Sequence, residues 1–469
     1  MAVPDSSVPA RAPRATDDTA RRATTTSNFG VSKRESHDAS GFYGRFEAPV
    51  LDDDDTVLTP VAIDEPLVCG DARDMHTLVD GSVALVVTSP PYFAGKQYEE
   101  ELERDGVPSS YLEYLELLHD VFAECVRVLE PGGRIAVNVA NLGRKPYRSL
   151  AADVIHILQD RLGLLLRGEI VWQKGAGASG SCAWGSFRTA TNPVLRDVTE
   201  RVIVASKGRF QRALSADQRA ARGLPHRSTI GTEDFMSLTL DVWQTPTESA
   251  KRVGHPAPFP VELPEKLIEL YTFENDLVLD PFVGSGSTLV AASRLGRRYV
   301  GYDLDPGYLE LAAARLDDEG HPLELIEDRQ AGSKERVQQV LEAAGFAEVE
   351  GPGVRIKGVG LTAPYVATDQ AGGRWVVLIG GPFVRYRGGL NSADAVWRTL
   401  GHAHALRGAG ERVLVLTSDV PRRRTEFDQA IRSAGPDACH DVIDVFDDDA
   451  LARLTQYAAG RYESLPGFW

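Results

Sequence analysis

Cysteine is scarce in this chain, and the few cysteines present stand far apart. Cys69, Cys125, Cys182 and Cys439 form no C-x-x-C pair, which argues against a zinc ribbon or a disulfide framework. Long hydrophobic runs are also missing, since no segment approaches the ~18 apolar residues that a membrane helix needs, and no apolar signal segment opens the sequence. These absences predict a cytoplasmic protein without a metal site or membrane association.

Basic residues are outnumbered by acidic ones. The 469 residues include 51 Lys and Arg against 67 Asp and Glu, which gives a formal net charge of −16. This charge works against indiscriminate nucleic-acid binding by the whole surface, although it leaves room for a local basic cleft. The hydrophobic share of 43% and the charged share of 25% are typical of a globular protein, and the length suits two or three domains.

Three regions of different composition divide the sequence. Residues 1–40 are rich in Ala, Thr, Arg, Ser and Pro, so we expect a disordered N-terminal tail. Residues 41–330 alternate predicted strands and helices, with a polar and locally basic insert at about 207–240. Residues 335–469 repeat this alternation on a smaller scale. The predicted fold class is α/β, with a doubly wound, mostly parallel sheet and a smaller C-terminal α/β domain.

A glycine-rich turn follows one of the predicted strands, in LVLDPFVGSGST at 277–288. Its two glycines allow a tight turn close to a ligand, and the helix that begins after them presents free N–H groups. The next predicted strand ends at Asp303, about 20 residues later, where a nucleotide fold places the carboxylate that binds a ribose. We therefore predict Asp303 as a ribose ligand, because Asp305, which precedes a proline, fits the helix N-cap better.

A second unusual strand end is TSPPYF at 88–93. Two consecutive prolines lack backbone N–H donors and leave the preceding carbonyls free to accept hydrogen bonds. Ser89 adds a side-chain acceptor, and Tyr92 and Phe93 add flat apolar faces. Such a site suits the exocyclic amine of a nucleobase that has been extruded from a duplex. Taken alone, the same residues also fit a Pro-Pro turn with a packed tyrosine.

The order of three segments resembles the amino-methylating DNA methyltransferases. TSPPY precedes HPAPFPVELPEKLIELYT and then DPFVGSGST, as in the subgroup whose catalytic motif comes before the cofactor motif, and the similarity covers roughly residues 61–316. The resemblance implies an S-adenosylmethionine-dependent methyltransferase fold, with S-adenosylmethionine as cofactor and double-stranded DNA as partner. It also raises a restriction endonuclease, or another defence-system protein, as a further partner.

The resemblance assigns roles to individual residues. The target-base site would consist of Ser89, Pro90, Pro91 and Tyr92. The cofactor site would consist of Asp71, His255, Pro256, Phe259, Asp280, Pro281, Phe282, Gly284, Gly286, Ser287, Thr288 and Asp303. A serine at the first motif position favours cytosine N4 as the target, while adenine N6 stays open. An inactive DNA-binding scaffold is the alternative from another functional class.

Two regions outside these motifs also carry predictions. In the basic insert, Arg209, Arg212, Arg222 and Arg227 are predicted to contact DNA phosphates and base edges, with a solvated helix face as the alternative. The C-terminal region faintly resembles restriction-type nuclease folds. Asp369 could supply one acidic ligand of such a site, but the strand VVLIG lacks the expected Glu and Lys. We therefore predict a non-catalytic domain that contacts DNA or a partner.

Overall fold

The computed structural model describes most of the chain from Val50 onward. The described residues are 50–91, 110–141, 147–174, 185–247, 259–320, 332–384, 386, 388–461 and 467–469. The predicted tail and three predicted site residues, Tyr92, His255 and Pro256, lie outside them. Residues Val50–Trp469 form one compact unit. None of the helices in the described ranges has the length and apolar character needed to cross a bilayer.

An eight-stranded mixed sheet occupies the first part of this unit. Its strands are β1 (Leu67–Cys69), β2 (Val83–Thr88), β3 (Leu129–Val139), β4 (Leu165–Lys174), β5 (Thr199–Ser206), β6 (Val242–Thr245), β7 (Leu277–Asp280) and β8 (Arg298–Asp303). Their order is β1-β8-β7-β2-β3-β5-β4-β6. The five strands from β1 to β3 are mutually parallel, β5 is antiparallel to both its neighbours, and β6 is parallel to β4. The predicted α/β fold with a mostly parallel sheet is confirmed.

Helices cover the two faces of this sheet. They are α1 (Tyr111–Val128), α2 (Leu150–Ile155, continued by a π-helical segment at His156–Arg161), α3 (Ala216–Ala221), α4 (Thr232–Leu238), α5 (Glu262–Tyr271), α6 (Ser287–Arg294) and α7 (Pro306–Glu319). The chain leaves β2 towards β3 and leaves β7 towards β8, in opposite directions across the sheet. The topological switch point therefore lies between β2 and β7, which is where open α/β sheets bind ligands.

Strand β2 shows why the sequence VALVVT forms a central strand. All six of its residues are buried, as expected for a parallel strand that is covered on both faces. Val86 belongs to the core cluster that includes α1, whereas Leu85 and Val87 belong to the cluster that includes α5. Alternate side chains thus enter separate cores on the two faces.

A second, five-stranded sheet follows in the chain. It contains β9 (Glu348–Glu350), β12 (Tyr365–Thr368), β13 (Arg374–Ile379), β14 (Val413–Thr417) and β15 (Asp441–Asp444), while β10 (Val354–Ile356) and β11 (Leu361–Ala363) form a separate hairpin. Strand β12 is antiparallel to β9 and β13, and β13, β14 and β15 are parallel. The accompanying helices are α8 (Ser333–Ala344), α9 (Ala393–Gly408), α10 (Glu426–Ala434) and α11 (Asp448–Ala458).

Asp369 has a structural role in this second sheet. Its carboxylate accepts hydrogen bonds from the backbone N–H groups of Ala371 and Gly373 and from the indole of Trp375, at 2.7–2.9 Å. The side chain is almost fully buried. The carboxylate is therefore occupied in closing the β12–β13 turn, which corrects the suggestion that it serves as a metal ligand.

Candidate functional site

The two motif-bearing strands lie side by side and end together. Leu85 and Val86 of β2 pair with Val278 and Leu279 of β7. Beyond this pairing, the Thr88 hydroxyl donates a 2.7 Å hydrogen bond to the Asp280 carboxylate. The carboxyl ends of β2 and β7 thus flank the switch point, and the segments that follow them share one edge of the sheet.

Asp280 is a buried carboxylate with one unused oxygen. Its Oδ1 accepts from Thr88 and, at 3.1 Å, from the backbone N–H of Phe282. Its Oδ2 is buried and has no hydrogen-bond donor among the described residues. Burial raises the pKa of Asp280 to about 7, although hydrogen bonds from nearby hydroxyl and amide groups act in the opposite direction. A buried, unsatisfied carboxylate oxygen is costly, so this atom suits a donor or cation supplied by a ligand.

The turn after β7 requires glycine at two positions. Gly284 and Gly286 have φ angles of +48° and +80°, in the left-handed region that favours glycine. A Cβ on Gly286 would also lie 2.8 Å from the Cβ of Ala312 in α7, which is closer than real contacts allow. Gly286 therefore allows α6 to begin directly against α7. Of the two neighbouring predicted residues, Pro281 is buried and Phe282 is half-buried against the first core cluster.

Asp303 lies at the end of β8, beside this turn. Its two carboxylate oxygens accept backbone N–H groups from Gly284 at 2.9 Å and from Asp305 at 3.0 Å. Burial raises its pKa, which these hydrogen bonds counteract. Asp305 caps α7 by accepting from the N–H of Gly307, as predicted. Asp303 is thus held rigidly against the glycine turn, and each of its oxygens keeps a lone pair for a further donor.

The neighbouring strand brings Asp71 to the same edge. Cys69 at the end of β1 pairs with Asp303, and the N–H of Gly70 donates to the Asp303 carbonyl at 3.0 Å. Asp71 follows directly and forms an ion pair with Arg73, whose Nη2 donates to Oδ2 at 2.5 Å and whose Nε lies 2.9 Å from Oδ2 and 3.1 Å from Oδ1. The hydrogen bond from Arg73 lowers the pKa of Asp71, so this carboxylate stays ionised at the mouth of the site.

The hydroxyls at the start of α6 bind groups of the protein itself. Ser287 donates to the Phe259 carbonyl at 2.8 Å, and Thr288 lies 3.3 Å from the Val87 carbonyl. Both side chains are buried. They fix Phe259, the end of β2 and α6 relative to one another, so any contact of their side chains with a ligand would be indirect.

Ser89 is connected to a polar network that the sequence did not reveal. The side-chain amide of Asn138 donates to the Ser89 hydroxyl at 3.5 Å and to the Glu200 carboxylate at 2.6 Å. Glu200 also pairs with Lys174 at 2.7 Å. Asn138 and Glu200 are buried. The signal for Asn138 was a polar residue within the apolar run IAVNV, whereas Glu200 stands in the polar run TER at 199–201 and gave no such signal.

The proline segment after Ser89 is also fixed from outside. Tyr114 of α1 is buried, and its hydroxyl donates to the Pro91 carbonyl at 2.8 Å. Pro90 is buried, whereas Pro91 is half-buried. The described part of the target-base segment is therefore rigid up to the residue before Tyr92.

Arg212 has a different role from the one predicted. It forms ion pairs with Glu130 at 2.5 Å and with Asp276 at 3.1 Å, and Arg219 pairs with the same two carboxylates. The Arg212 side chain is only 10% exposed. Because the guanidinium is enclosed by the protein's own carboxylates, the prediction that Arg212 contacts DNA is corrected, and the residue anchors the insert to the sheet.

The insert lies at the amino ends of the strands, whereas the motif segments follow their carboxyl ends. Glu130 and Asp276 stand at the amino ends of β3 and β7. Arg227 pairs with Glu274 at 2.5 Å, also just before β7, and Arg209 donates to the Asp54 carbonyl at 2.5 Å. The exposed Arg222 follows α3, next to the buried cluster. The structure therefore does not bring the predicted DNA-binding arginines to the carboxyl edge.

A short hairpin, and not the arginine-containing insert, lies at the carboxyl edge. It lies in the connection between the end of β4 and the start of β5, and it is closed by a bridge between Gly185 and Pro193. The N–H of Ser186 donates to the Asn192 carbonyl at 2.8 Å. Phe187 at its tip is 64% exposed, and the adjacent Arg188 is exposed with φ +58°. An aromatic and a basic side chain are thus presented at the carboxyl edge of the sheet, in a connection between strands that β3 separates from β2.

Residues 83–314 match the family model described as DNA methylase. The chain is 30% identical over 271 residues to the type II methyltransferase M.MthZI of Methanothermobacter thermautotrophicus, covering 53% of this chain and 75% of that protein. It is 30% identical over 281 residues to M.Cfr9I of Citrobacter freundii, covering 53% and 87%. A DNA modification methylase of Thermus thermophilus, solved in complex with S-adenosyl-L-methionine, is 31% identical over 54% of this chain and 94% of that chain, with a TM-score of 0.40.

Proposed function

The chain belongs to the DNA methylase family that modifies the amino group of adenine N6 or cytosine N4, and from this premise we propose that it methylates cytosine N4 at specific sites in double-stranded DNA. The observation that carries the proposal is the adjacency of two strand ends. Ser89 follows β2 and Asp280 ends β7, and Thr88 joins them by a hydrogen bond. This places the proposed target-base segment and the proposed cofactor turn on either side of the switch point.

S-adenosylmethionine is the cofactor of this family, and when bound it supplies an electrophilic methyl group on a sulfonium. The residues present fit it. The unused buried oxygen of Asp280 suits the ammonium of the methionine part, beside Phe282 and the turn of Gly284 and Gly286. Asp303 has lone pairs for ribose hydroxyls, and Asp71 lies at the same edge for the adenine part. Phe259, with His255 and Pro256, would contribute from the other side.

Ser89 orients the amine of the target base in this proposal. Its hydroxyl oxygen is an acceptor with two lone pairs, and the Asn138 amide holds that oxygen in place at the position where an amine hydrogen would be accepted. A proline-segment carbonyl would accept the second amine hydrogen. Holding the amine nitrogen in line with the methyl group accounts for much of the rate in such a transfer, and Tyr92 would stack on the base.

A neutral serine cannot take up a proton, so the amine proton passes to solvent water with or after methyl transfer. The sequence contains no Pro-Cys pair, which argues against a covalent cysteine mechanism at carbon 5 of cytosine. The same geometry accepts the amine of adenine, and Ser89 in the first motif position is what favours cytosine. Adenine N6 is therefore the alternative outcome of the test.

We propose that DNA reaches the site over the carboxyl edge, along the hairpin that carries Phe187 and Arg188. Support comes from the position of this hairpin between β4 and β5 and from the exposure of its tip. Many matched relatives are named as type II methyltransferases, so a cognate restriction endonuclease is the partner that we propose for this chain.

Sequencing that detects modified bases in DNA from cells expressing this chain would test the proposal. We expect N4-methylcytosine at one recurring sequence, and no modification in cells that express the S89A variant at the same level. N6-methyladenine at a recurring site would retain the methylase but correct the target base. Unmodified DNA from cells with soluble wild-type protein would overturn the proposal.

A further inference from the structure

A carboxylate of the first sheet's domain, that of Glu233 in α4, fastens the second sheet to the first. Its Oε2 accepts the backbone N–H of Phe383 at 2.6 Å, and its Oε1 accepts both the N–H and the hydroxyl of Ser333. Ser333 begins α8, where Gly332 offers no side-chain cap. Glu233 therefore caps α8 across the interface while holding the loop that follows β13.

That loop lies next to the carboxyl edge of the first sheet. Tyr386 packs against the core cluster of α5, and the ammonium of Lys266 is 5.3 Å from the centre of its ring. Lys266 also donates at 2.7 Å to the hydroxyl of Thr245, the last residue of β6. Because β6 is parallel to β4, Thr245 lies at the same edge as the ends of the motif strands.

The loop after β14 packs on the loop after β13 and ends in three arginines. The N–H of Leu390 donates to the Asp419 carbonyl at 3.0 Å, and the Asn391 side chain donates to the Asp419 carboxylate at 2.8 Å. Two residues later the chain reaches the buried Pro421. The arginine tract, defined as Arg422, Arg423 and Arg424, follows directly and is exposed.

The backbone of the arginine tract is held in one shape. The Arg422 carbonyl accepts the N–H of Thr425 at 3.2 Å, and the N–H of Arg424 donates to the Asp428 carboxylate at 2.8 Å. Arg424 has a φ of +69°, a conformation that this cap supports. Three neighbouring guanidinium groups are thus presented on a rigid loop, with their backbone already ordered before any ligand binds.

The guanidinium groups of the arginine tract belong to exposed residues. Within the described part of the chain, none of the three forms an ion pair, whereas nearby Arg432 pairs with Asp428 at 2.7 Å. The carboxylates of Asp419 and Asp428 are already engaged, by Asn391 and by Arg432. In a chain with a net charge of −16, three adjacent and exposed guanidinium groups suit an anionic ligand with repeated charges.

We propose that the arginine tract binds phosphates of the DNA duplex beside the methylation site. The tract lies at the end of the second sheet that adjoins the carboxyl edge of the first. A duplex that enters the site would therefore pass close to it. This inference rests on the proposed function for the identity of the nucleic acid, but it assigns a separate contact to a domain outside the family match.

Salt-dependent DNA binding by the full chain tests the proposal. Fluorescence anisotropy of a labelled duplex would be measured over a potassium chloride series for wild type and for the double variant R422Q/R423Q. Arg424 is left unchanged because its φ of +69° makes the backbone cost at this position depend on the side chain. Each phosphate contact contributes about 0.9 to the slope of log K against log salt, so the variant should lose about 1.8 from the slope and bind about tenfold or more weakly at ~0.1 M salt.

Two further variants control the experiment. R355Q/K357Q removes the same charge from exposed positions in and just after β10 of the β10–β11 hairpin and should keep the wild-type slope. R422K/R423K retains the charge and should recover most of the slope. A wild-type slope in R422Q/R423Q, or an equal loss in R355Q/K357Q, would overturn the arginine contact alone. Failure of the wild-type protein to bind DNA at any salt concentration would overturn the proposed function as well.

Discussion

The hydroxyl of Thr88 donates a 2.7 Å hydrogen bond to the carboxylate of Asp280. These residues are 192 positions apart in the chain, and each is the last residue of its strand. The bond joins the segment that begins with Ser89 to the turn that contains Gly284 and Gly286. Most of the proposed chemistry depends on this junction, and the first predictions concern Asp280.

The stability of the free protein should depend on the protonation of Asp280. Burial raises its pKa from 3.8 to about 7, so at intermediate pH the folded state holds a proton that the unfolded state has released. The free energy of unfolding that this proton contributes is therefore fully present below about pH 4 and is lost as the pH rises to about 7. D280N should show a smaller fall in urea midpoint between these pH values than wild type. Parallel curves for the two proteins would contradict the buried, protonated carboxyl.

Cofactor binding should have the opposite dependence on pH. If the unused oxygen of Asp280 pairs with the ammonium of S-adenosylmethionine, affinity should rise as the carboxyl ionises near pH 7. Replacing the carboxylate by an amide in D280N removes a charged hydrogen bond, which should weaken binding about tenfold or more at pH 8. Titration calorimetry at pH 6 and 8 would measure both effects. An affinity in D280N equal to wild type at pH 8 would place the ammonium elsewhere.

Glu200 should influence turnover through Asn138 and Ser89. In E200Q the charge-assisted hydrogen bond from the Asn138 amide is replaced by a weaker bond to an amide oxygen, so the hydroxyl of Ser89 is held less firmly. We expect kcat to fall by about ten- to a hundredfold, while the dissociation constant for S-adenosylmethionine stays within twofold of wild type. The matched control is E169Q, an exposed glutamate of β4, which should leave kcat unchanged. Equal kcat values in the two variants would remove Glu200 from the positioning network.

Gly286 should tolerate no side chain, for two separable reasons. G286A introduces both a left-handed alanine and a contact of 2.8 Å with the Cβ of Ala312, and should lower the free energy of unfolding by about 2–4 kcal/mol. G163A has a similar φ of +66° and nothing within 4 Å, so it measures the backbone cost alone, about 1 kcal/mol. Denaturant unfolding would compare them.

The packing part of the Gly286 effect can be tested by relief at the partner. A312G removes the opposing Cβ, so the double variant G286A/A312G should be more stable than the sum of the two single changes predicts. Additive changes would show that the contact between α6 and α7 is not the cause.

Arg212 should matter for stability and not for DNA. In R212Q, only Arg219 is left to pair with the two buried carboxylates of Glu130 and Asp276. The free energy of unfolding should therefore fall by about 3 kcal/mol. The exposed R222Q should change the free energy of unfolding by less than about 0.5 kcal/mol. Thermal unfolding and the salt dependence of DNA binding would be measured for both. If a folded R212Q protein showed a smaller slope of log K for DNA binding against log salt, Arg212 would contact DNA after all, contrary to its place in the buried cluster.

Much of the fold was predictable because long elements carry clear periodicity. The helix at Pro306–Glu319 and the strands at Val83–Thr88 and Leu277–Asp280 follow from apolar spacing and from their glycine and proline boundaries. The short strands β9 to β12 were missed. Segments of three or four residues are too short for a period to be recognised.

The position of the arginine-containing insert could not be predicted because it depends on the direction of one strand. Periodicity identified the segment of β5, but it carries no information about orientation. Since β5 is antiparallel to β3, it returns the chain to the amino edge before Lys207, and the insert starts there. The network of Asn138 and Glu200 was hidden for a related reason, because residues 62 positions apart meet only through this antiparallel pairing.

Nucleoside mass spectrometry of DNA treated with the purified protein would show which base the chain methylates. Unmethylated duplex DNA would be incubated with S-adenosylmethionine carrying a labelled methyl group, using wild type and S89A in parallel. We expect labelled N4-methylcytosine with wild type and a large loss of label with S89A. Label in 5-methylcytosine, or no label in DNA from a folded wild-type protein that binds both cofactor and duplex, would contradict it.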